Sequence, residues 1–345
     1  MKKIVLGPVA ILTAAFALPA IALAQEEPEG APSPNQIVAE AAAEEWVTIP
    51  AEDLLVMTLA PDAAGNAREV IVQLMPEPFS QGWMHNIKLL AREGWYDGIS
   101  VNRVQDNYVV QWGDPNYDNP EAEGEAKALP QGLKVMSENE YLIDYSITYR
   151  MARNTPTEVI QEPPFVAIKS DAAYGDTAFS LGWPVGLSDV KRKRGSLRAE
   201  TGKMHPVHCY GMVGVGRGYS PDTGSGAELY TVIGHAPRHL DRNIALVGRI
   251  IEGMEHLSSL PRGNGVLGFY AEDEFDKRTP ILSIDVASDV EGRVFKFEYL
   301  STEGETFARY ADARANRRDP FFIVPAGGAD ICNIPVPVRR VSAGD

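Results

Sequence analysis

Only two cysteines occur in the 345 residues, Cys209 and Cys332, so at most one disulfide can form and a cysteine-stapled scaffold is excluded. Basic residues are also scarce: 32 Lys and Arg stand against 47 Asp and Glu, a formal net charge of −15. A chain this acidic lacks the clustered cations that a phosphate backbone demands, so no general nucleic-acid binder is expected. Beyond Ala24 no run reaches the ~18 apolar residues that span a bilayer. No Gly-x-Ser-x-Gly elbow occurs, and none of the six histidines sits in a recognisable catalytic motif. The glycine-rich run at residues 211–218 lacks the Gly-Lys-Ser/Thr ending of a phosphate loop. It leads into Tyr219-Ser220-Pro221-Asp222, a turn, where a nucleotide site needs a helix start. Its glycines fit close approach of a ligand or a neighbouring strand. His205, His208 and Cys209 have no second ligand cluster at a zinc spacing, and Pro206 interrupts them. Neither a metal nor a cofactor is expected.

What is present is globular. Hydrophobic residues make up 44% and charged residues 23%, and the length suggests about two domains. The 31 Gly and 25 Pro favour a turn-rich, mainly β chain. Residues 1–24 read as a signal peptide: Lys2 and Lys3, an apolar stretch, then Ala22-Leu23-Ala24 as the cleavage pattern. The mature chain is then expected outside the inner membrane, in the periplasm of a Gram-negative cell, with no stable membrane insertion. In such a compartment Cys209 and Cys332 could pair, and their spacing leaves that open.

Residues 25–45, rich in Glu, Pro and Ala, read as a flexible lead. From 46 to 114 the pattern is strand, strand, helix, strand, strand. Leu54-Leu55-Val56-Met57-Thr58-Leu59 and Val70-Ile71-Val72-Gln73-Leu74 are the first two strands. Met84, Ile87, Leu90 and Ala91 form one helical stripe that begins near Pro78 and stops at Gly94. Ser100 to Val104 and Tyr108 to Trp112 are the next strands. Residues 115–207 show no clean periodicity, and their basic run Lys191-Arg192-Lys193-Arg194 reads as a solvated loop. Further strands follow, with a short helix near 252–260 and a β run at 281–286. The tail from 290 has one strand-like run at 294–300 and a helix around 306–317.

Two blocks carry a resemblance. The first is Gly98-Ile99-Ser100-Val101-Asn102-Arg103-Val104, a short turn, then Tyr108-Val109-Val110-Gln111-Trp112-Gly113-Asp114. The second runs from Gly211 through Arg217-Gly218 and Gly224-Ser225-Gly226-Ala227-Glu228-Leu229-Tyr230 to His239-Leu240-Asp241. Their order and spacing resemble the cyclophilin-type peptidyl-prolyl cis-trans isomerases, over residues 52–114 and 208–287. The resemblance implies a closed eight-stranded antiparallel barrel capped by two helices. It implies that Arg103 is catalytic and that Gln111 orients it. It implies substrate binding by Tyr108, Val109, Gly216, Arg217, Gly218, Glu228, Tyr230, His239 and Leu240. Asn102, Tyr108, Val109, Glu228, His239 and Ile244 depart from the residues usual in the family.

The chemistry needs no nucleophile. Amide rotation meets a barrier of ~18–20 kcal/mol, and X-Pro isomerisation takes tens to hundreds of seconds. A rate gain of roughly 10⁵ requires about 7 kcal/mol of differential transition-state binding. An apolar proline pocket and a cation aimed at the prolyl nitrogen supply it. The expected partners are proline-containing polypeptides, exported proteins above all. The rival expectation is a non-catalytic peptide-binding or chaperone module of the cell envelope. Residues 115–207 interrupt the barrel as an insertion, too long for a plain loop and expected to have structure that widens the substrate surface or docks a partner. Residues 208–289 complete the barrel, and 290–345 form a C-terminal extension.

Overall fold

The computed structural model describes residues 30–116, 124–152, 155–161, 167–169, 173, 176–193 and 197–341. Residues 1–24, read above as a signal peptide, lie outside the described residues. Eight antiparallel strands close a barrel in the order Met212–Val215, Leu229–Val232, Val109–Gly113, Ser100–Val104, Thr279–Val286, Leu54–Leu59, Arg68–Leu74, Leu246–Glu252. Successive strand residues face opposite sides, and both sides are covered here. In Leu54–Leu59, Leu55, Met57 and Leu59 join the main core, while Leu54 and Val56 join a second cluster with Ile71, Phe295 and Phe297. Each such side chain contributes about 1.5–3 kcal/mol on burial. The helix Gln81–Arg92 covers one end, burying Trp83, Met84, Ile87, Leu90 and Ala91 at three- and four-residue spacing. It starts three residues after Pro78, with Ser80 at its N-cap, and the chain turns at Gly94 with φ 61°. The second capping helix is one short turn, Glu255–Ser258.

The buried residues of lead and tail correct two boundaries. The lead is not flexible from residue 33 onward. Ser33 caps the helix Pro34–Ala39 in a capping box with Gln36, and Ile37 enters the main core beside Tyr310 and Ala311. Trp46–Ile49 is no part of the barrel. It pairs with Phe297–Leu300, which pairs with Val338–Arg340, in a three-stranded side sheet. Lead and tail thus form one layer over the outer barrel face. The tail's helix Glu305–Ala315 buries Phe307 edge-on against Phe179, with ring centroids 4.9 Å apart.

The insertion has the structure its length implied. Its strands form a six-stranded antiparallel sheet in the order Thr155–Gln161, Ile143–Ala152, Leu197–Pro206, Trp183–Lys193, Asp176–Ser180, Ala167–Lys169. The basic run is therefore a strand end and not a loop, with Arg194 outside the described residues. Arg192 pairs with Glu200 at 2.7 Å and Asp176 at 2.9 Å. The sheet docks on the barrel through Arg249, which donates to Gln73 Oε1 and the Gly182 carbonyl, both at 2.9 Å, and stacks over Trp183. Burial without a carboxylate lowers the Arg249 pKa to about 10.

Before the sheet, residues 124–141 strap across the capping helix. Asn86 donates to the carbonyls of Lys134 and Ser225 at 2.9 Å and accepts from the Lys134 N–H at 2.7 Å. One buried amide thus ties helix, strap and glycine-rich loop together. Asn86→Ala leaves those groups without their partner and is expected to cost about 2 kcal/mol in a urea titration. A midpoint equal to wild type would show the strap is held elsewhere.

Candidate functional site

Arg103 and Gln111 face each other across the hairpin formed by Ser100–Val104 and Val109–Gly113. Asn107, in the left-handed region at φ 52°, makes the turn between those strands, a conformation Asn tolerates. The Arg103 guanidinium is fixed on three sides. Nε donates to the Leu267 carbonyl at 2.7 Å, Nη1 to Gln111 Oε1 at 3.2 Å, and Nη2 to Gln105 Oε1. The rings of Tyr108 and Phe269 lie 5.6 and 5.5 Å from its Cζ. Burial lowers its pKa from the usual arginine value. Leu267 presents its carbonyl from a left-handed conformation at φ 55°, which costs a side-chain-bearing residue about 1–2 kcal/mol.

Beside this cation lies a pocket of about 250 Å³. Tyr108, Val109, Tyr230, Leu240 and Ile244 give it an apolar wall, and Val109 and Tyr230 share a buried cluster with Val232. Gly216, Arg217 and Glu228 line the other side. Arg217 is folded onto the rim, its Nε on the Asn243 carbonyl and its Nη1 on the Gly218 carbonyl. Gly216 and Gly218 spend their N–H groups inward, on the Glu228 carbonyl and on Asp222 Oδ2. The glycines are needed for closeness. A Cβ on Gly214 would sit 2.4 Å from the Tyr230 ring, and one on Gly224 2.2 Å from the Gly216 carbonyl oxygen. Gly218 and His239 fall outside the pocket lining, and His239 lies parallel to Tyr108 with centroids 6.3 Å apart.

Behind the pocket the Tyr230 hydroxyl meets His208 Nε2 at 2.8 Å, and His208 Nδ1 meets Asp241 Oδ1 at 2.8 Å. Asp241 also accepts from Arg238 Nε, and Arg238 Nη1 reaches Asp330 in the tail. Burial opposes ionisation of Asp241, but the hydrogen bonds from His208 and Arg238 outweigh it and hold its pKa below the usual range. Burial lowers the His208 pKa, against the pull of Asp241. Cys209, next to His208, is bonded to Cys332.

A model of the "Cyclophilin type peptidyl-prolyl cis-trans isomerase/CLD" family matches residues 56–286, two-thirds of the chain. The chain belongs to the cyclophilin family. It is a cyclophilin-type peptidyl-prolyl cis-trans isomerase. Among solved structures it is similar to the cyclophilin AquaCyp293 from Hirschia baltica, at 18% identity and a TM-score of 0.56, over 90% of this chain and 98% of that one. A cyclophilin type peptidyl-prolyl cis-trans isomerase from Cryptosporidium parvum, solved in the presence of the dipeptide Ala-Pro, aligns at 11% identity and a TM-score of 0.34, over 67% of this chain and 97% of that one. No curated protein sequence matches it.

In this cyclophilin the sequence reading missed Phe269, Leu267, Asp222, Gly224 and Ser225, all on the pocket lining. Phe269 and Leu267 come from a loop that joins the barrel through a bridge between Phe269 and Arg103. Val266 and Leu267 are exposed there, and no sequence pattern marked the loop. Asp222 was read only as turn, yet its two carboxylate oxygens accept from the Gly218 and Gly224 N–H groups and shape the rim. The insertion reaches this rim from behind. Thr223 donates to the Met136 carbonyl at 2.9 Å, and Tyr141 stacks on Trp83 with centroids 5.6 Å apart.

Proposed function

We propose that this cyclophilin isomerises X-Pro bonds of exported proteins, holding proline against Val109, Tyr230 and Leu240 while Arg103 stabilises the twisted amide. The observation that carries this reading is the state of the Arg103 fork. A guanidinium has five N–H donors, and three of them are engaged among the described residues. Those three fix its plane and leave one hydrogen on each Nη to donate. A planar amide nitrogen is a poor acceptor, because its lone pair is conjugated with the carbonyl. Rotation breaks the conjugation and frees the lone pair. A hydrogen bond from Arg103 then forms in the transition state and not in the ground state, which is the kind of interaction that raises kcat. Gln111 acts through Arg103 by holding Nη1.

Export is supported by the amino-terminal segment and by the Cys209–Cys332 disulfide, which persists in oxidising compartments. The test is magnetisation-exchange NMR on an Ala-Pro peptide with the chain lacking residues 1–24, together with fractionation of the producing cell. Acceleration of exchange and recovery outside the inner membrane are expected. A folded chain that binds the peptide without accelerating exchange would instead be a peptide-holding module, and recovery in the cytosol would remove exported clients. Gln111→Ala is expected to lower kcat/KM about tenfold, the worth of one hydrogen bond to a charged group. An unchanged value would show that Leu267 and Gln105 suffice to hold the fork.

A further inference from the structure

We infer that His208 and Asp241 are positioning residues for the proline pocket: they draw the Tyr230 hydroxyl out of it, so that the pocket meets proline with the ring face alone. This rests on the pocket assignment above and adds to it a role for the buried residues behind Tyr230.

Tyr230 is placed as an apolar wall, yet it carries a hydroxyl that needs a partner when buried. If the hydroxyl turned toward the proline ring, it would need a water there or go unbonded. The structure gives it a partner on the opposite side. The Tyr230 hydroxyl lies 2.8 Å from His208 Nε2, and the two rings are nearly parallel at an angle of 9°. His208 is completely buried, and its own orientation is fixed from behind: Asp241 Oδ1 accepts both its backbone N–H at 2.9 Å and its Nδ1 at 2.8 Å.

The tautomer follows from these contacts. An ionised carboxylate only accepts, so Nδ1 carries the hydrogen. Nε2 of the neutral ring is then an acceptor, and the Tyr230 hydroxyl must donate to it. The lowered pKa values of His208 and Asp241 agree with a neutral ring beside a charged carboxylate. Arg238, at 2.9 Å from Asp241 Oδ2, is the counter-charge. Each member of the chain from Arg238 to Tyr230 has a single consistent donor and acceptor role. Of them only the ring of Tyr230 lines the pocket.

The experiment compares wild type with His208→Leu, Tyr230→Phe, the double variant and Arg103→Ala, reading kcat and KM on an Ala-Pro peptide with folding checked by near-ultraviolet circular dichroism. His208→Leu strands the hydroxyl and is expected to raise KM about tenfold with kcat within twofold. Tyr230→Phe removes the hydroxyl and is the reference against which the double variant is read. The double variant lacks both the hydroxyl and its partner, and its KM is expected to lie within about threefold of that of Tyr230→Phe, well below that of His208→Leu. A role for His208 in stability alone predicts no such rescue. An unchanged KM in His208→Leu, or a double variant as impaired as His208→Leu, would overturn the inference. Full activity in Arg103→Ala would instead overturn the pocket assignment itself. Should His208→Leu not fold, the ¹⁵N spectrum of the wild-type imidazole decides: protonated Nδ1 with acceptor Nε2 is expected, and protonated Nε2 would overturn it.

Discussion

Arg103→Ala is expected to lower kcat/KM on an Ala-Pro peptide by about 10²–10³, a loss of roughly 3–4 kcal/mol, mostly in kcat. The size follows from what is removed, a preorganised cation at the edge of a small apolar pocket. Its orientation energy was supplied on folding by Leu267, Gln111 and Gln105, so none is spent when the amide twists. Arg103→Lys should recover little. An ammonium is a point charge with no fork, so it cannot meet the same three acceptors and still present a donor toward the prolyl nitrogen. Stability should fall little by comparison, because the rings of Tyr108 and Phe269 keep their own packing. Exchange NMR at several peptide concentrations separates the two kinetic constants. A raised KM with unchanged kcat would mean that Arg103 binds the planar substrate and does not act on the twisted one.

Individual strands and the helix of the barrel were legible because their information is local, while the closure of the barrel was legible only through the resemblance. Arg103 and Gln111 are eight positions apart across a two-stranded turn, so sequence spacing nearly determines their register. The same holds for the helix stripe from Met84 to Ala91. What was not legible depends on partners distant in the chain. Trp46–Ile49 looks like an ordinary strand next to the barrel, and only its pairing with Phe297–Leu300 takes it elsewhere. The apolar run Leu54-Leu55-Val56-Met57 did hold a clue: a strand apolar on both faces must be covered on both, and the lead and tail are that cover. In the insertion, Trp183, Val185 and Leu187 alternate inward at strand period, but Pro184 and Gly186 between them read as strand breakers. In the site, Phe269 reaches Arg103 through a bridge between distant segments, and the Tyr230–His208–Asp241 chain joins residues 22 and 33 positions apart. No local pattern announces either, and His208 was weighed as a zinc ligand and as a hydrolase base, not as a support for the pocket.

The Cys209–Cys332 bond closes a loop spanning a sequence separation of 123, and its removal is expected to have a large effect on stability. In the chain-entropy treatment a loop of roughly that length restricts the unfolded chain by about 5 kcal/mol. That is a third or more of the stability of an ordinary domain, about 5–15 kcal/mol. Replacing both cysteines with serine is therefore expected to lower the urea midpoint strongly, by up to about 5 kcal/mol in unfolding free energy. Activity on a short peptide should change far less. The disulfide joins the barrel to the tail behind His208, whereas Arg103, Gln111 and Phe269 stand on the other side of the pocket. The Arg238–Asp330 contact still ties the tail to Asp241, and Phe307 still packs on Phe179. Kinetics and unfolding of the oxidised chain, the double serine variant and the dithiol-reduced wild type measure both quantities. Equal urea midpoints would show that the side sheet and the Phe307 contact already confine the tail in the unfolding transition, leaving the bond with little entropy to remove. A loss of peptide activity as large as that of Arg103→Ala would show that the tail holds the pocket wall through Asp330, Arg238 and Asp241 far more stiffly than two charged hydrogen bonds should.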